Sequence, residues 1–174
     1  MSRPVPATAA ALALLLLGAC AEDVQRCPGL AEGTFTFTAT RTAAACAQGG
    51  PAAGLDALYP PTFTFAATVA FATEGSAAAV CTLRRASAPL SGTHQGDEVA
   101  VALDTGGAVY GACAATCGVT VHQALAGTLV RDPVSGEATG FTGTLTEVGT
   151  ATAGAACGPC TSPCQATWAV TAGP

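Results

Sequence analysis

From Gly33 to Thr40 the chain alternates without a break, with Phe35, Phe37 and Ala39 on one parity and Thr34, Thr36, Thr38 and Thr40 on the other. Side chains that switch faces at every residue belong to a β-strand, and one apolar face with one hydroxylated face belongs to an antiparallel sheet over a core. The pattern returns over 62–72, where Phe63, Phe65, Val69 and Phe71 share a side, and again over 98–104. It continues over 119–129, with Gln123 the one polar residue on the apolar face. Over 138–148, Thr142, Thr144 and Thr146 oppose Phe141 and Leu145, and over 165–172 Trp168 and Val170 share a face. Beyond the first twenty residues helical periodicity is nearly absent.

Turn residues separate these runs: Gln95-Gly96-Asp97, Asp104-Thr105-Gly106-Gly107 and Asp132-Pro133-Val134-Ser135-Gly136. Connections this short make successive strands hairpin neighbours. The expectation is an all-β antiparallel meander of eight or nine strands, at 33–41, 62–72, 79–85, 88–94, 98–104, 108–113, 118–131, 138–148 and 165–172. So many strands need closure into a barrel, or a β-sandwich, to remove exposed edges. A short motif recurs as Leu90-Ser91-Gly92-Thr93, Leu125-Ala126-Gly127-Thr128 and Phe141-Thr142-Gly143-Thr144. Its uneven spacing argues against a solenoid. In each copy the glycine shares the face of the large residue, where a missing side chain allows bending or close sheet packing. This layout resembles lipocalin-type meander barrels in style, without a lipocalin-specific motif. Segment 42–60 reads as the one long irregular connection, with room for a helical turn near 55–59 before Pro60-Pro61. Cys46 could tie it down.

The first twenty residues carry one charge, Arg3, then an apolar run through Leu14-Leu15-Leu16-Leu17 that is shorter than the roughly 20 residues of a membrane span. A charged start, a short apolar stretch and small residues at its end describe a secretory signal peptide. Leu17-Gly18-Ala19-Cys20 resembles the lipobox of bacterial lipoproteins. The resemblance implies removal of a leader at 1–19, lipidation of Cys20, a tether over 20–32 and a single all-β domain over 33–174 held to a membrane by its N-terminal lipid. Stable anchoring of that kind takes two or more acyl chains. Ala21 follows the cysteine, where an aspartate would signal inner-membrane retention in enteric bacteria, so the resemblance implies the outer membrane of a cell envelope. The chain has no Lys, Ile or Asn and is rich in Ala, Gly and Pro, a bias expected of a high-GC bacterial genome. Without Arg3 it keeps five arginines against eleven acids, a net charge of −6. An acidic domain with no basic stripe is not built for nucleic acid.

Nine cysteines become eight once Cys20 is lipidated: Cys27, Cys46, Cys81, Cys113, Cys117, Cys157, Cys160 and Cys164. An even count in an oxidising compartment reads as four disulfides, with 105 possible pairings. Cys157-Gly158-Pro159-Cys160 has the spacing of a thioredoxin-type redox centre, which needs a strand before and a helix after. Here a loop-like Gly149–Gly154 precedes it, while Pro163 and an alternating strand follow, so the context favours a structural staple. A zinc reading of Cys113-x3-Cys117 with Cys157, Cys160 and Cys164 leaves an awkward remainder of cysteines.

Among the histidines, His94 reads as part of a solvated hairpin tip, His94-Gln95-Gly96-Asp97, rather than as a catalytic dyad with Asp97, and His122 faces away from the apolar side of its strand. No nucleophile elbow, phosphate loop or metalloprotease motif occurs, so no catalytic residue, metal or cofactor is assigned. The reading is a non-catalytic, lipid-anchored envelope protein, a binding or structural module whose surfaces meet other envelope components. An alternative is a small carrier whose barrel takes an apolar ligand against Phe35, Phe37, Phe63, Phe65, Phe71, Leu125 and Phe141. A thiol-disulfide oxidoreductase using the Cys157–Cys160 tetrapeptide is the other alternative.

Overall fold

The computed structural model describes residues 27–46, 52–82, 88–109, 114, 116–152, 157 and 163–173. The expected leader, Cys20, residues 21–26 of the tether, Cys113 and Cys160 lie outside these residues, as do positions 83–85 and 110–113 of two expected strands.

Eight strands follow one another as β1 (Leu30–Cys46), β2 (Thr62–Phe71), β3 (Ala77–Thr82), β4 (Leu90–Gln95), β5 (Glu98–Val109), β6 (Gly118–Arg131), β7 (Ala138–Ala151) and β8 (Cys164–Gly173). Each pairs antiparallel with the next, and β8 returns to β1, so the sheet is a closed meander barrel. A sandwich is thereby ruled out. One short helix, α1 (Ala52–Leu58), lies between β1 and β2.

The strands are eight because the expected 98–104 and 108–113 form one element. Asp104-Thr105-Gly106-Gly107 reads as a turn, yet the ladder to β6 continues past it with a register shift between Thr105 and Ala108. This is a β-bulge, and Gly107, at φ 74°, takes the left-handed conformation that a glycine adopts at no steric cost. Likewise β1 does not stop at 41. It runs to Cys46 through a bulge between Arg41 and Ala43, which moves its buried positions from odd (Phe35, Phe37, Ala39) to even (Cys46). The structured chain also starts ahead of residue 33, because Leu30 pairs with Phe71 and Cys27 is bonded to Cys81.

β1 holds two partners at once. Thr40 back to Leu30 pair with β2, and Thr36 on to Cys46 pair with β8. That offset is the stagger a closed sheet requires. It leaves no free edge along the wall.

The inner face carries the apolar parity of every strand: Phe35 and Phe37 on β1, Val69 and Phe71 on β2, Val80 on β3, Leu90 on β4, Val99 and Val101 on β5, Leu125 and Leu129 on β6, Phe141 on β7, Trp168 and Val170 on β8. Phe37 is the hub. Its ring stacks on Phe65 at 4.9 Å and lies 5.6 Å from Phe141 and 6.2 Å from Phe35. Fully burying one such ring contributes about 1.5–3 kcal/mol.

The repeated glycines sit where the backbone of a neighbouring strand approaches closely. A Cβ on Gly92, Gly127 or Gly143 would come within 2.1, 2.2 and 2.3 Å of the carbonyl oxygens of Ala100, Thr142 and Ala126 on the neighbouring strands. Gly127 and Gly143 face each other across β6 and β7, and the Phe141 ring covers both from inside. A ring laid over paired glycines restores the packing that the missing side chains forgo. Gly143→Ala is accordingly expected to lower stability by about 1–3 kcal/mol in urea unfolding, the usual range for overpacking. Gly106→Ala, in open space at the β5 bulge, should stay within about 0.5 kcal/mol of wild type.

Candidate functional site

Every carrier residue named from the sequence faces the barrel interior, and the interior is occupied by those same side chains. Phe37 and Phe141 are fully buried, Phe35, Phe71 and Leu125 nearly so, and Phe63 and Phe65 pack against the same cluster. Phe63 lies 5.9 Å from Phe65 and 5.5 Å from Trp168, so the rings form a continuous chain from the middle of the barrel to one end.

Helix α1 caps that end. Pro60 and Pro61 follow it, and a residue before proline is pushed out of the helical region, so the helix stops at Leu58. Leu55 and Leu58 turn toward the core, and Tyr59, 1 % exposed, plugs the mouth with its ring edge-on to Trp168 at 5.8 Å. Trp168 Nε1 donates to the Pro60 carbonyl at 3.0 Å. Arg41, at the β1 bulge, donates from Nη2 to Asp56 Oδ1 at 2.5 Å and from Nη1 to the Tyr59 carbonyl.

A second arginine fastens the opposite end. Arg131 donates from Nε to Asp97 at 2.6 Å, from Nη2 to Glu32 at 2.7 Å and from Nη1 to the Gly136 carbonyl at 3.0 Å. It thereby ties the start of β1, the β4–β5 turn and the β6–β7 turn together. The hydrogen bond it donates to Asp97, then that to Glu32, raises its pKa against the opposing effect of burial. Next to it, Asp132 Oδ1 accepts the backbone N–H groups of Val134 and Ser135, each at 2.8 Å, and these bonds lower its pKa from the ordinary 3.8.

Three disulfides join the described cysteines. Cys27 is bonded to Cys81, Cys46 to Cys164 and Cys117 to Cys157. Cys46 and Cys164 are directly opposed across the β1–β8 seam. Cys157, the first cysteine of the thioredoxin-like tetrapeptide, has Cys117 as its partner. Three of the five cysteines of the zinc reading, Cys117, Cys157 and Cys164, are likewise held in disulfides.

The histidines fall in different places. His94 is not a solvated tip residue: its ring lies flat on Phe71 at 3.8 Å, Nδ1 is 3.1 Å from the Gly96 carbonyl, and Nε2 is buried with no hydrogen-bond partner among the described residues. Asp97, two residues beyond the turn's glutamine, is engaged by Arg131 instead. His122 is on the outer wall, where Nδ1 is 2.8 Å from Asp104, its register partner on β5. Gln123, the polar residue on the apolar parity of β6, donates to Glu147 on β7 at 2.8 Å.

A concavity bounded by described residues is on the outside. A trough of about 910 Å³ runs across β4, β5, β6 and β7. Two registered rows line it. One is Thr93, Ala100, Ala126 and Thr144, and the other is Gln95, Glu98, Thr128 and Thr142. Gly127 and Gly143 form part of its floor. All three copies of the Gly-Thr motif thus meet in one place: their glycines let neighbouring strands approach closely, and Thr93, Thr128 and Thr144 face the trough. The motif was visible in the sequence; that its copies share one surface depends on strand register, which the sequence did not show.

No family model, no curated protein and no solved structure gives a significant match to this chain.

Two outcomes follow from the cysteine and aspartate geometry. Peptide mapping of the oxidised domain without reductant should recover the 27–81, 46–164 and 117–157 links and no reactive thiol; a Cys157–Cys160 link would contradict the pairing. Asp132→Ala should lower stability at neutral pH. Because folding depresses the Asp132 pKa, its contribution is fully present above 3.8 and is lost as pH falls through the lower folded value. Wild type and variant should therefore converge in thermal unfolding below that pH.

Proposed function

We propose that this chain is a lipid-anchored, non-catalytic protein of a bacterial cell envelope that works through the outer wall of its barrel. The observation that carries the reading is the filled interior. An apolar carrier needs an internal site of roughly 300–1,000 Å³. Here Phe35, Phe37, Phe71, Leu125 and Phe141 occupy the inner face, and Tyr59 and Trp168 occupy one mouth. A wall with free polar side chains over a trough of about 910 Å³ is the surface left for recognition. The three disulfides support export, since such bonds persist in oxidising compartments. Cys117 as the partner of Cys157 supports a structural role for the tetrapeptide. The lipobox over Leu17–Cys20 supports the anchor, with the outer membrane as its site.

Fractionation of a bacterial host expressing the full chain tests this. Wild type should sediment with the outer membrane and yield an acylated N-terminal peptide beginning at Cys20. Cys20→Ala should lose the acyl mass and the membrane fraction while keeping its disulfides. A wild type that stays soluble and unacylated refutes the anchor. Uptake of a fatty acid with shifts at Leu125 and Phe141 refutes recognition from outside.

A further inference from the structure

We propose that the β4–β7 trough is a binding site for an uncharged, polyhydroxylated chain, that is, an oligosaccharide. The inference rests on the outer wall being the recognition surface and names what that surface takes.

Closure of the barrel restricts the choice first. The strands under the trough are paired on both sides, so their backbone groups are already engaged. An extended peptide cannot add to this sheet as a new strand, which is how peptides gain most of their affinity for a sheet. Recognition has to come from side chains.

Apart from Glu98 and from His94, whose ring is stacked on Phe71, the polar side chains are uncharged hydroxyls and one carboxamide. Thr93, Thr128, Thr142 and Thr144 each offer a hydroxyl that donates and accepts, and Gln95 offers a carboxamide that does the same. A ligand that matches them presents groups that also donate and accept, which is the property of sugar hydroxyls. The one charge lining the trough is Glu98, and neither Arg nor Lys lines it. Phosphate, sulfate and carboxylate ligands therefore meet no counter-charge and one repulsive carboxylate. Between the hydroxyl-bearing positions the floor carries only small residues: Ala100 and Ala126 adjoin in register, beside Gly127 and Gly143. A floor without bulky side chains admits the C–H face of a pyranose ring. The rows span four strands, about 14 Å at the usual inter-strand spacing, enough for a chain of rings rather than a single one. No Phe, Tyr or Trp lines the trough, and the one ring that does, His94, is stacked on Phe71, so affinity should be modest, with Kd on the order of 0.1–1 mM.

The test uses the disulfide-bonded domain from residue 21 onward, ¹⁵N-labelled and titrated with chitotetraose as a neutral glycan, with an arginine hexapeptide and laurate as comparisons. Saturable shifts confined to amides around Thr93, Glu98, Ala100, Ala126, Thr128, Thr142 and Thr144 are expected with the glycan. Thr128→Val with Thr142→Val keeps the exposed, β-branched shape of both positions and removes two hydroxyls. Two lost hydrogen bonds should weaken binding about tenfold or more. Ala126→Arg, which fills the floor, should abolish it while leaving the disulfide map unchanged. No shift with 10 mM chitotetraose, shifts outside the trough, or binding unaffected by these variants would overturn the assignment. Preference for the arginine peptide at the same amides would overturn it too, leaving an outer-wall site of different chemistry. Laurate shifts on the inner face would instead overturn the outer-wall reading itself.

Discussion

Closure of the wall depends on β1. A meander of eight strands has two ends to reconcile, and only a strand long enough to serve two neighbours at different heights can join them. β1 does so with seventeen residues, its first part laddered to β2 and its last part to β8. The bulge at Arg41–Ala43 lets the strand turn toward β8 while keeping an apolar residue inward on each side of the bend. The Cys46–Cys164 bond then fixes the seam at the far end of that ladder. Without β1 in both ladders the sheet would have two open edges, and the rings of Phe35 and Phe37 would lose their enclosure.

Once the wall is closed, its interior and its ends follow from a few large side chains. The rings make a chain through the middle, and the glycines of β6 and β7 give Phe141 room against the wall. Each end is then held by one arginine that collects backbone and carboxylate acceptors from separate turns, Arg41 over α1 and Arg131 at the opposite rim. Both are partly exposed, so their value is geometric: each fixes segments that have no ladder hydrogen bonds to each other. The same construction decides where chemistry can happen. An interior used for packing leaves the outer threonine-bearing parity as the surface open to a partner.

The strands were legible because period-two alternation needs no tertiary information, and their number and short turns left a barrel or a sandwich, between which closure of β8 onto β1 decides. What escaped was local and had physical causes. Asp104-Thr105-Gly106-Gly107 has the composition of a turn, but Gly107 serves a bulge within a continuing strand. Ala43-Ala44-Ala45 carries no alternation, so the continuation of β1 past its phase change left no mark. His94 read as a solvated tip residue because the flat ring of Phe71, on a different hairpin, is brought to it only by folding. Arg131 and Glu32 are 99 residues apart in sequence, and nothing in either segment names the other. For the trough, the Gly-Thr repeats were readable one by one; their shared surface required the register of four strands.

The bond between Cys27 and Cys81 has a mechanical side. Cys27 precedes β1, while Cys81 belongs to β3, on the far side of β2 from β1. A pull on the chain ahead of Cys27 therefore divides, and the covalent branch enters the wall at β3 rather than at the first residue of β1. Peeling β1 from its end, one hydrogen bond at a time, is the weakest way to open a sheet. The disulfide converts that peel into a load shared across three adjacent strands, so the strand on which closure depends is the one shielded from tension.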